Sequence, residues 1–469
     1  MRKTIIIIII QLISLNTIKS QVFDIHNIQI KGDQNKYINI AVLGDGYTVN
    51  EQQSFVDKAT ILIDDLFSQE PWSNYKNYFN IFAIKVISNE SGIKHPNISP
   101  DCAGSMVPTS NPNNFFGTSF DYYGIHRLVV PTDSQKITSV LASNLPDYDI
   151  VIVIANTSFY GGSGGSYATV TTYPTAKEIL IHELGHSAGS LADEYYAGDM
   201  YNAERANMTQ QSNPNLIKWK NWLNNSPIAI IPHGTSGVSS TWFKPTTNAC
   251  KMEIFDVPFC NVCKENIIEN FHLKVNPIVN YTPANNTTIN SSNQFINFNL
   301  TELMKPIPNT LNIKWQLDSN IFNTNLETYQ INQTSLTNGT HTLTATVVDE
   351  TPFVKTNNHS TIHYNTVTWT IQKNNLGIST VAESNQIGIS IYPNPSIDKL
   401  NVEVNLEKSS NFSLELVDLN GKIIQTIENK GVLEGKNISS FDVSKLSKGN
   451  YIIALKINGA NYSKIFVKQ

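Results

Sequence analysis

The sequence predicts a multidomain protein in which an α/β domain is followed by two domains built only of strands. The first observation is its length, because 469 residues exceed what one hydrophobic core usually supports. The second is that strand and helix patterns alternate as far as about residue 274. The third is that only short alternating apolar patterns follow, over residues 275–372 and again over residues 387–469, with a polar linker at 373–386 between them.

Apolar runs and helical spacing divide the α/β region, residues 21–274, into short strands and amphipathic helices. An Asn-, Pro- and Gly-rich stretch at residues 88–124 interrupts them, and loops of this length are usually functional or disordered. We predict strands at residues 37–43, 78–87, 128–130, 150–155 and 168–172, and helices at residues 50–67, 134–144 and 264–272.

The second half of the chain has the pattern of all-β domains. In residues 275–372 the alternating runs are separated by turn residues, and two runs carry Trp315 and Trp369. This predicts a β-sandwich of immunoglobulin type, without candidate catalytic residues. Strict alternation returns in residues 387–469 and predicts a small all-β domain at the C-terminus.

Charge and the N-terminus restrict the class of protein. The net charge is −5 with no basic patch, so we expect no nucleic-acid partner. Arg2 and Lys3 precede an apolar run at residues 5–13, and polar residues continue to Ser20. The run is too short to span a bilayer, which predicts a cleaved signal peptide over residues 1–20. We therefore expect an exported protein with no transmembrane segment after signal cleavage.

The cysteines of the mature chain are Cys102, Cys250, Cys260 and Cys263. Cysteines in exported proteins more often form disulfides than remain free, so we expect disulfides, although the sequence does not define the pairing. The last three also resemble half of a zinc knuckle, but no matching second pair exists.

The most informative stretch contains the motif His-Glu-x-x-His, formed by His182, Glu183 and His186. On a helix, residues four apart project from one face, so the two imidazoles would lie one turn apart. A hydrolytic zinc site requires neutral nitrogen ligands and a nearby carboxylate that can act as a base. The motif therefore predicts a zinc-bearing helix.

The flanking residues predict where this helix begins and ends. Thr175 and Glu178 fit a capping box at its start, and Gly189 most easily adopts the left-handed turn that ends a helix. Residues 168–172 lead directly into the helix. They fit equally well a simple hairpin or an exposed edge strand to which an extended peptide could pair.

Three motifs together resemble the IgA-peptidase family of zinc metallopeptidases. They are Leu-Gly-Asp-Gly-Tyr-Thr at residues 43–48, Tyr-Gly-Gly-Ser-Gly-Gly at 160–165, and the His182–His186 motif with Asp-Glu-Tyr at 193–195. The resemblance covers residues 22–273 and implies an α/β zincin-type fold and a zinc endopeptidase. It does not imply that immunoglobulin A is the substrate.

The C-terminal domain is similar to the sorting domains of cargo for the type IX secretion system. The matching stretches are Tyr-Pro-Asn-Pro at 392–395 and the segments 418–422, 446–451 and 464–468. The resemblance implies that the type IX machinery is a partner. It also implies export across a bacterial outer membrane, with release or attachment at the cell surface.

The site also resembles that of the metzincins, in which a glycine three residues after the second histidine precedes a third ligand. Gly189 matches, but the expected ligand position holds Ala192, which has no donor atom. The resemblance then implies a loop one residue longer, with Asp193 or Glu194 as the ligand. We favour Asp193, with Glu194 holding a histidine ring. Met252 is either the methionine that underlies such sites or a core residue.

These residues predict a secreted endopeptidase that hydrolyses proteins or peptides with one Zn²⁺. His182, His186 and Asp193 would hold the ion, and Glu183 would be the general base. Tyr195 is a candidate for stabilising the oxyanion. The alternative is a secreted binding or adhesion protein, in which the β-domains bind glycan or protein and the metal is purely structural. A closed four-ligand site, for example with both Asp193 and Glu194, would support it.

Overall fold

A computed structural model describes residues 21–290, 294–357, 359, 363–373, 388–406, 408–419, 421–432, 434–457 and 460–469. The predicted signal peptide, and the predicted linker apart from residue 373, lie outside these ranges. The chain divides into two compact units. The first runs to Thr334 and includes His341–Ile371, and the second comprises Ser335–Thr340 and Gln372–Gln469.

A six-stranded mixed sheet forms the centre of the first unit, in the order β1-β3-β2-β4-β6-β5. Strands β2, β3, β4 and β6 are parallel, whereas β1 and β5 run antiparallel to their neighbours. Every residue of β2, β3 and β4 is buried, as expected for parallel strands covered on both faces. The strands are β1 (Ile25–Gln29), β2 (Ile38–Asp45), β3 (Phe79–Ile84), β4 (Ile150–Ala155), β5 (Gly162–Ser163) and β6 (Ala168–Val170).

Successive strand side chains point to opposite faces of this sheet. Both sets are apolar, and helices cover both faces. One face carries Ile40 and Val42 and packs in one core with α1, α4 and α5. The other carries Ala41 and Leu43 and packs against α3. The helices are α1 (Gln52–Leu66), α2 (Trp72–Tyr75), α3 (Ser134–Asn144), α4 (Ala176–Ser187) and α5 (Asn261–Lys274). A two-stranded sheet of β7 (Ile231–Pro232) and β8 (Phe243–Lys244) lies between α4 and α5 in the chain.

Most predicted elements of this region are confirmed, with shifted ends. The predicted helix at 134–144 and strand at 150–155 coincide with α3 and β4. The predicted strand at 128–130 is wrong, because Leu128 and Val130 form only isolated bridges. Strand β6 is not an edge: β5 pairs with it as a hairpin and lies outside it in the sheet.

Two further sheets complete the first unit, in the orders β13-β10-β9 and β12-β11-β14-β15. They face each other, since Phe298 of the smaller sheet meets Trp369 of the larger, which stacks on Trp315. The strands are β9 (Ile278–Thr282), β10 (Phe295–Leu303), β11 (Leu311–Leu317), β12 (Asn320–Asn323), β13 (Thr328–Asn332), β14 (Gly339–Asp349) and β15 (Tyr364–Lys373).

The second unit contains a three-stranded sheet, β16-β17-β20, and a four-stranded sheet, β19-β18-β21-β22. Strand β17 buries every second residue, and Val402 and Leu414 from the two sheets share one core. The predicted alternation is therefore confirmed. The strands are β16 (Gly388–Tyr392), β17 (Lys399–Leu406), β18 (Ser410–Val417), β19 (Ile423–Val432), β20 (Gly435–Asp442), β21 (Gly449–Ile457) and β22 (Ala460–Lys468). Among the residues described in either unit, none of the helices has the length and apolar character that crossing a bilayer requires.

A buried carboxylate joins the helical part of the first unit to its β-sandwich. Asp349, at the end of β14, accepts hydrogen bonds from Tyr75 Oη at 2.6 Å and Thr310 Oγ1 at 2.5 Å, and lies 2.9 Å from His272 Nε2. Burial opposes its ionisation, but the bond and charge of His272 and the two hydroxyl donors hold the pKa of Asp349 below its ordinary value. The two parts thus share a charged junction.

Replacing this carboxylate by an amide should destabilise the first unit. We expect Asp349→Asn to lower the free energy of unfolding by about 2 kcal/mol at pH 7, because buried donors lose a charged acceptor. A carboxylate with a depressed folded pKa stabilises fully above its unfolded pKa of about 3.9, and this stabilisation is lost as the pH falls through the lower folded pKa. The difference from wild type should therefore be constant above about pH 5 and shrink below about pH 4 in urea unfolding followed by circular dichroism.

Asp318→Asn is the matched control, because Asp318 also pairs with a histidine, His341, but its side chain is 44% exposed. Its effect should stay below about 1 kcal/mol. Equal stability of Asp349→Asn and wild type at pH 7 would contradict the junction.

Candidate metal and catalytic site

Helix α4 places the two motif histidines together. His182 and His186 are one turn apart, and their ring centroids are separated by 5.0 Å in an edge-to-face arrangement. The helix is held because Ile179, Leu180 and Leu184 are buried in the larger core of the first unit.

The start of α4 does not use the predicted capping box. Thr175 is the N-cap residue but makes no side-chain cap bond. The carboxylate of Glu178 is instead buried in an ion pair with Lys251, and it also accepts a hydrogen bond from Asp256 N at 3.3 Å. A local signal was therefore overridden by a long-range charge pair, which ties α4 to the segment around residue 251.

The end of α4 also differs from the prediction. The residue with a left-handed backbone is Ser190, with φ of 51°, rather than Gly189. Gly189 is needed for close packing, because a Cβ there would lie 2.9 Å from Ile267 Cγ1 of α5 and 2.6 Å from the Gly185 carbonyl oxygen. The glycine thus lets α5 approach the turn that follows the histidines.

Three potential ligand atoms converge beside this helix. Asp193 Oδ1 lies 3.0 Å from His182 Nε2 and 3.2 Å from His186 Nε2. The other ring nitrogens contact backbone carbonyls: His182 Nδ1 lies 2.9 Å from Lys251 O, and His186 Nδ1 lies 2.9 Å from Leu191 O. Because each carbonyl can only accept, both rings donate through Nδ1 and present Nε2 to Asp193.

This arrangement fits a bound divalent cation. Histidines that ligate metals almost always donate their second ring N–H to a carbonyl or carboxylate, as these two do. Two neutral imidazoles and one carboxylate are also a donor set that zinc accepts. Burial lowers the pKa of His186, but the hydrogen bond and charge of Asp193 outweigh burial and raise that pKa to about 9. The same contacts hold the pKa of Asp193 well below its usual range.

The neighbouring carboxylate, Glu194, faces away from the histidines. It is fully buried, and its side chain accepts hydrogen bonds from Asn207 Nδ2 and Thr246 Oγ1, each at 3.0 Å. Cys263 Sγ lies 3.3 Å from the same carboxylate. The predicted role of Glu194 in holding a histidine ring is therefore wrong, because backbone carbonyls hold both rings.

Glu183 lies next to the convergence point and is half-buried. Burial raises the pKa of its carboxyl group, and the Asp193 charge adds to this, while the two histidines oppose it. The glycine-rich loop passes directly over this group, since a Cβ on Gly164 would collide with Glu183 Oε2. The loop motif at residues 160–165 thus leaves room for the carboxylate.

Aromatic side chains border the site. The Tyr195 ring stacks against His182 with centroids 6.1 Å apart, and Phe255 meets the same histidine edge-on at 5.8 Å. Burial and the charges of Asp193 and Glu183 raise the pKa of Tyr195, so its hydroxyl stays protonated at neutral pH.

Met252 lies under the motif helix. A Cβ on Gly185 would meet Met252 Sδ at 2.5 Å, so the glycine between the histidines allows the thioether to pack closely. Met252 is fully buried and belongs to the larger core of the unit, and its carbonyl accepts a hydrogen bond from Glu194 N at 2.7 Å. The predicted role as a core residue is confirmed, and the role as the methionine that underlies a metal site stays a prediction.

The cysteines form no disulfide, which overturns the expectation of disulfides. All four are free and buried. Cys250, Cys260 and Cys263 cluster with Glu194, with ligand atoms within 4.8 Å of one another, and Cys250 Sγ lies 3.5 Å from Cys263 Sγ. Such a group could hold a metal, with Glu194 as the partner that the zinc-knuckle pattern lacks.

Comparison with protein families assigns both ends of the chain. Residues 26–236 match the IgA Peptidase M64 family, which is a family of peptidases. Residues 390–469 match the Secretion system C-terminal sorting domain, a type IX domain that indicates export to the medium or the cell surface. No curated protein matches the chain.

Solved structures give only distant likenesses. The chain is similar to dimeric latent PorU from Porphyromonas gingivalis (16% identity, 34% of this chain and 16% of that one, TM-score 0.16). It is also similar to the β-glucuronidase of Parabacteroides merdae (8% identity, 34% and 21%, TM-score 0.14) and to the chicken interferon gamma receptor alpha chain (6% identity, 37% and 92%, TM-score 0.15). The matched region spans about a fifth or less of the first two chains, and none of these likenesses bears on fold or function.

The family matches account for the two ends of the molecule that the motifs singled out. The chain is similar to the IgA Peptidase M64 family over residues 26–236, and residues 390–469 match the C-terminal sorting domain of the type IX secretion system.

Proposed function

We propose that this protein is a secreted zinc-dependent endopeptidase, with His182, His186 and Asp193 as the ligands of one catalytic Zn²⁺. The observation that carries the proposal is the approach of two Nε2 atoms to one carboxylate oxygen, Asp193 Oδ1, at 3.0 Å from His182 and 3.2 Å from His186. Both rings are oriented by carbonyl oxygens, so their free nitrogens are directed at a common point. Three protein ligands leave a fourth position for water and substrate.

A zinc ion bound there would lower the pKa of a water molecule toward neutrality and polarise the scissile carbonyl. Glu183 is the general base in this proposal. Its raised pKa brings it closer to the working pH, which improves proton exchange in both directions. The carboxylate first takes a proton from the attacking water and then delivers it to the leaving amine, while Asp193 stays ionised as a ligand.

Tyr195 is placed to assist this reaction. Its hydroxyl remains protonated near Asp193 and Glu183, so it can donate a hydrogen bond to the oxyanion that develops on the scissile carbonyl. Stacking of the Tyr195 ring on His182 limits the orientations that the Tyr195 side chain can adopt. This is a proposal for the role of the third residue in the Asp-Glu-Tyr motif.

A substrate cannot pair along β6 as an added strand. Strand β6 lies between β4 and β5. The outer side of β5 is covered, because Val129 N donates to Gly162 O at 3.3 Å and Gly162 N donates to Arg127 O at 3.1 Å. We therefore propose that the peptide is held by contacts other than pairing with β6.

A structural metal site closed by four ligands, for example with both Asp193 and Glu194, would have supported the alternative of a binding or adhesion protein. Glu194 bonds to Asn207 and Thr246 instead. A purely structural site also has no use for the carboxylate of Glu183 beside an open position. Both points favour the peptidase.

Removing the base should abolish hydrolysis and leave metal binding intact. We expect Glu183→Ala to fold and to hold as much zinc as wild type, since this side chain is not a ligand. Its hydrolysis of a quenched peptide library should fall by about 10²–10⁴-fold or more. Lys177→Ala, an exposed change on the same helix, is the control and should keep wild-type activity. A Glu183→Ala enzyme as active as wild type would refute the mechanism.

The third ligand can be tested by separating the two neighbouring carboxylates. Asp193→Ala should weaken zinc binding by more than the roughly 10- to 100-fold typical of residues that only support a ligand, and activity should disappear with the metal. The isosteric Glu194→Gln should remain active, because its carboxylate points elsewhere. Zinc titration with a competing chelator and peptide hydrolysis would measure both. The opposite pattern would assign the ligand to Glu194.

A methyl group on Gly164 should disturb the base without removing the metal. Because a Cβ there collides with Glu183, Gly164→Ala should displace the carboxylate and lower kcat by about 100-fold, the cost of a misplacement of about 1 Å. Zinc content and thermal stability should match those of wild type. Ser166→Ala, on an exposed residue of the same loop, should have no effect. Unchanged kcat in Gly164→Ala would show that the loop does not position Glu183.

A further inference from the structure

A further group of side chains of metal-ligating types lies in the long loop between β3 and α3. This loop contains two short 3₁₀ turns and no named strand in its described residues. Within it, His95, Cys102, Asp121 and His126 converge, and their ligand atoms all lie within 4.8 Å of one another. None of these residues belongs to the site on α4.

The spacing of these atoms suits a single ion at their centre. Cys102 Sγ lies 3.0 Å from Asp121 Oδ1, 3.2 Å from His126 Nδ1 and 3.8 Å from His95 Nε2. Asp121 Oδ1 lies 2.8 Å from His126 Nδ1, and Oδ2 lies 3.6 Å from His95 Nε2. Ligands about 2.0–2.3 Å from a tetrahedral zinc ion are separated from each other by roughly 3.3–3.8 Å, so small outward shifts would accommodate the ion.

The outer ring nitrogens of both histidines are already engaged. His95 Nδ1 lies 3.1 Å from the carbonyl oxygen of Pro108, and His126 Nε2 lies 2.7 Å from Ser105 Oγ. Each ring is thereby oriented with its remaining nitrogen directed into the cluster. This outer support is what metal-ligating histidines usually have.

The burial and charge of these side chains also suit a bound cation. His95, Cys102 and Asp121 are buried, and Asp121 pairs with both histidines of the cluster. A carboxylate in such a place needs a compensating charge. One thiolate, one carboxylate and two neutral imidazoles would neutralise a divalent cation completely.

We propose that His95, Cys102, Asp121 and His126 form a second metal site, which binds Zn²⁺ or a similar transition-metal ion and has a structural role. Four protein ligands of mixed nitrogen, sulfur and oxygen type leave no open position, as in structural zinc sites. The ion would cross-link a loop that has little regular structure of its own. This proposal does not depend on the identity of the reaction at Glu183.

The loop also supports the wall of the candidate active site. The ligand His126 is followed by Arg127, whose carbonyl accepts a hydrogen bond from Gly162 N at 3.1 Å. Gly162 begins the strand that leads to Gly164, which packs over Glu183. Loss of the second ion should therefore loosen this wall, so a moderate loss of peptidase activity is expected as a secondary effect.

Metal content is the primary test, made on the full chain. We expect Cys102→Ser and His126→Ala each to bind one metal ion fewer per chain than wild type by mass spectrometry of metals, with a lower thermal midpoint. The control is His26→Ala, on an exposed histidine of β1, which should keep the wild-type content. Folded Cys102→Ser and His126→Ala proteins with unchanged metal content would overturn the proposal and leave the cluster as a hydrogen-bonded network.

If these variants do not fold, a second measurement on the wild-type protein tests whether the loop cluster binds a metal ion. Crystals of the wild-type protein should give an anomalous peak at the zinc absorption edge between Cys102 Sγ and Asp121, at about 2.3 Å from the sulfur. A peak at His182 and His186 with none in the loop cluster would refute the second site. A peak in the loop cluster alone would support it and would count against the proposed peptidase centre instead.

Discussion

The candidate site depends on one short segment, residues 251–252, being folded back against the motif helix. The ammonium group of Lys251 pairs with the buried carboxylate of Glu178. The backbone carbonyl of Lys251 orients the ring of His182. Met252 packs against Gly185, and its carbonyl binds the backbone of Glu194. Breaking a buried ion pair by removing one partner typically costs about 3–5 kcal/mol. Helix position, ring orientation and the path of the Asp193 loop are therefore secured together.

Three carboxylates that are close in sequence have different pKa shifts, because each lies in a different environment. Asp193 faces two imidazoles, which hold its pKa well below the ordinary range. The pKa of Glu183 is raised by burial beside the glycine-rich loop. Glu194, one residue further on, is buried among thiols and neutral donors, and its pKa is raised well above the usual value. Different environments thus give three acidic side chains different pKa values, which suits the proposed division of roles between ligand, base and buried support.

The free thiols lie in two separate groups of potential metal ligands. An exported chain would normally oxidise well-placed cysteines, yet Cys102 and the group of Cys250, Cys260 and Cys263 are free, and each lies beside a carboxylate. The loop between β3 and α3 and the turn before α5 both lack extensive secondary structure. Side chains that converge from irregular segments need a local cross-link or a dense hydrogen-bond network to stay ordered. The Cys102 cluster lies in the first of these segments, and the cluster of Cys250, Cys260 and Cys263 lies at the second.

The sequence by itself determined the elements whose signals are local. Continuous apolar runs defined β2 and β4, and helical spacing defined α1 and α3. The i, i+4 spacing placed His182 and His186 on one face, and the resemblance to metzincins implied Asp193 or Glu194 as the third ligand, since Ala192 offers no donor atom. Only the tertiary structure decided the direction of Glu194, the replacement of the Thr175 cap by the Glu178–Lys251 pair, and the convergence of His95 with His126. Those outcomes rest on contacts between distant residues and on backbone carbonyls, which every residue type carries and which therefore leave no mark in the sequence.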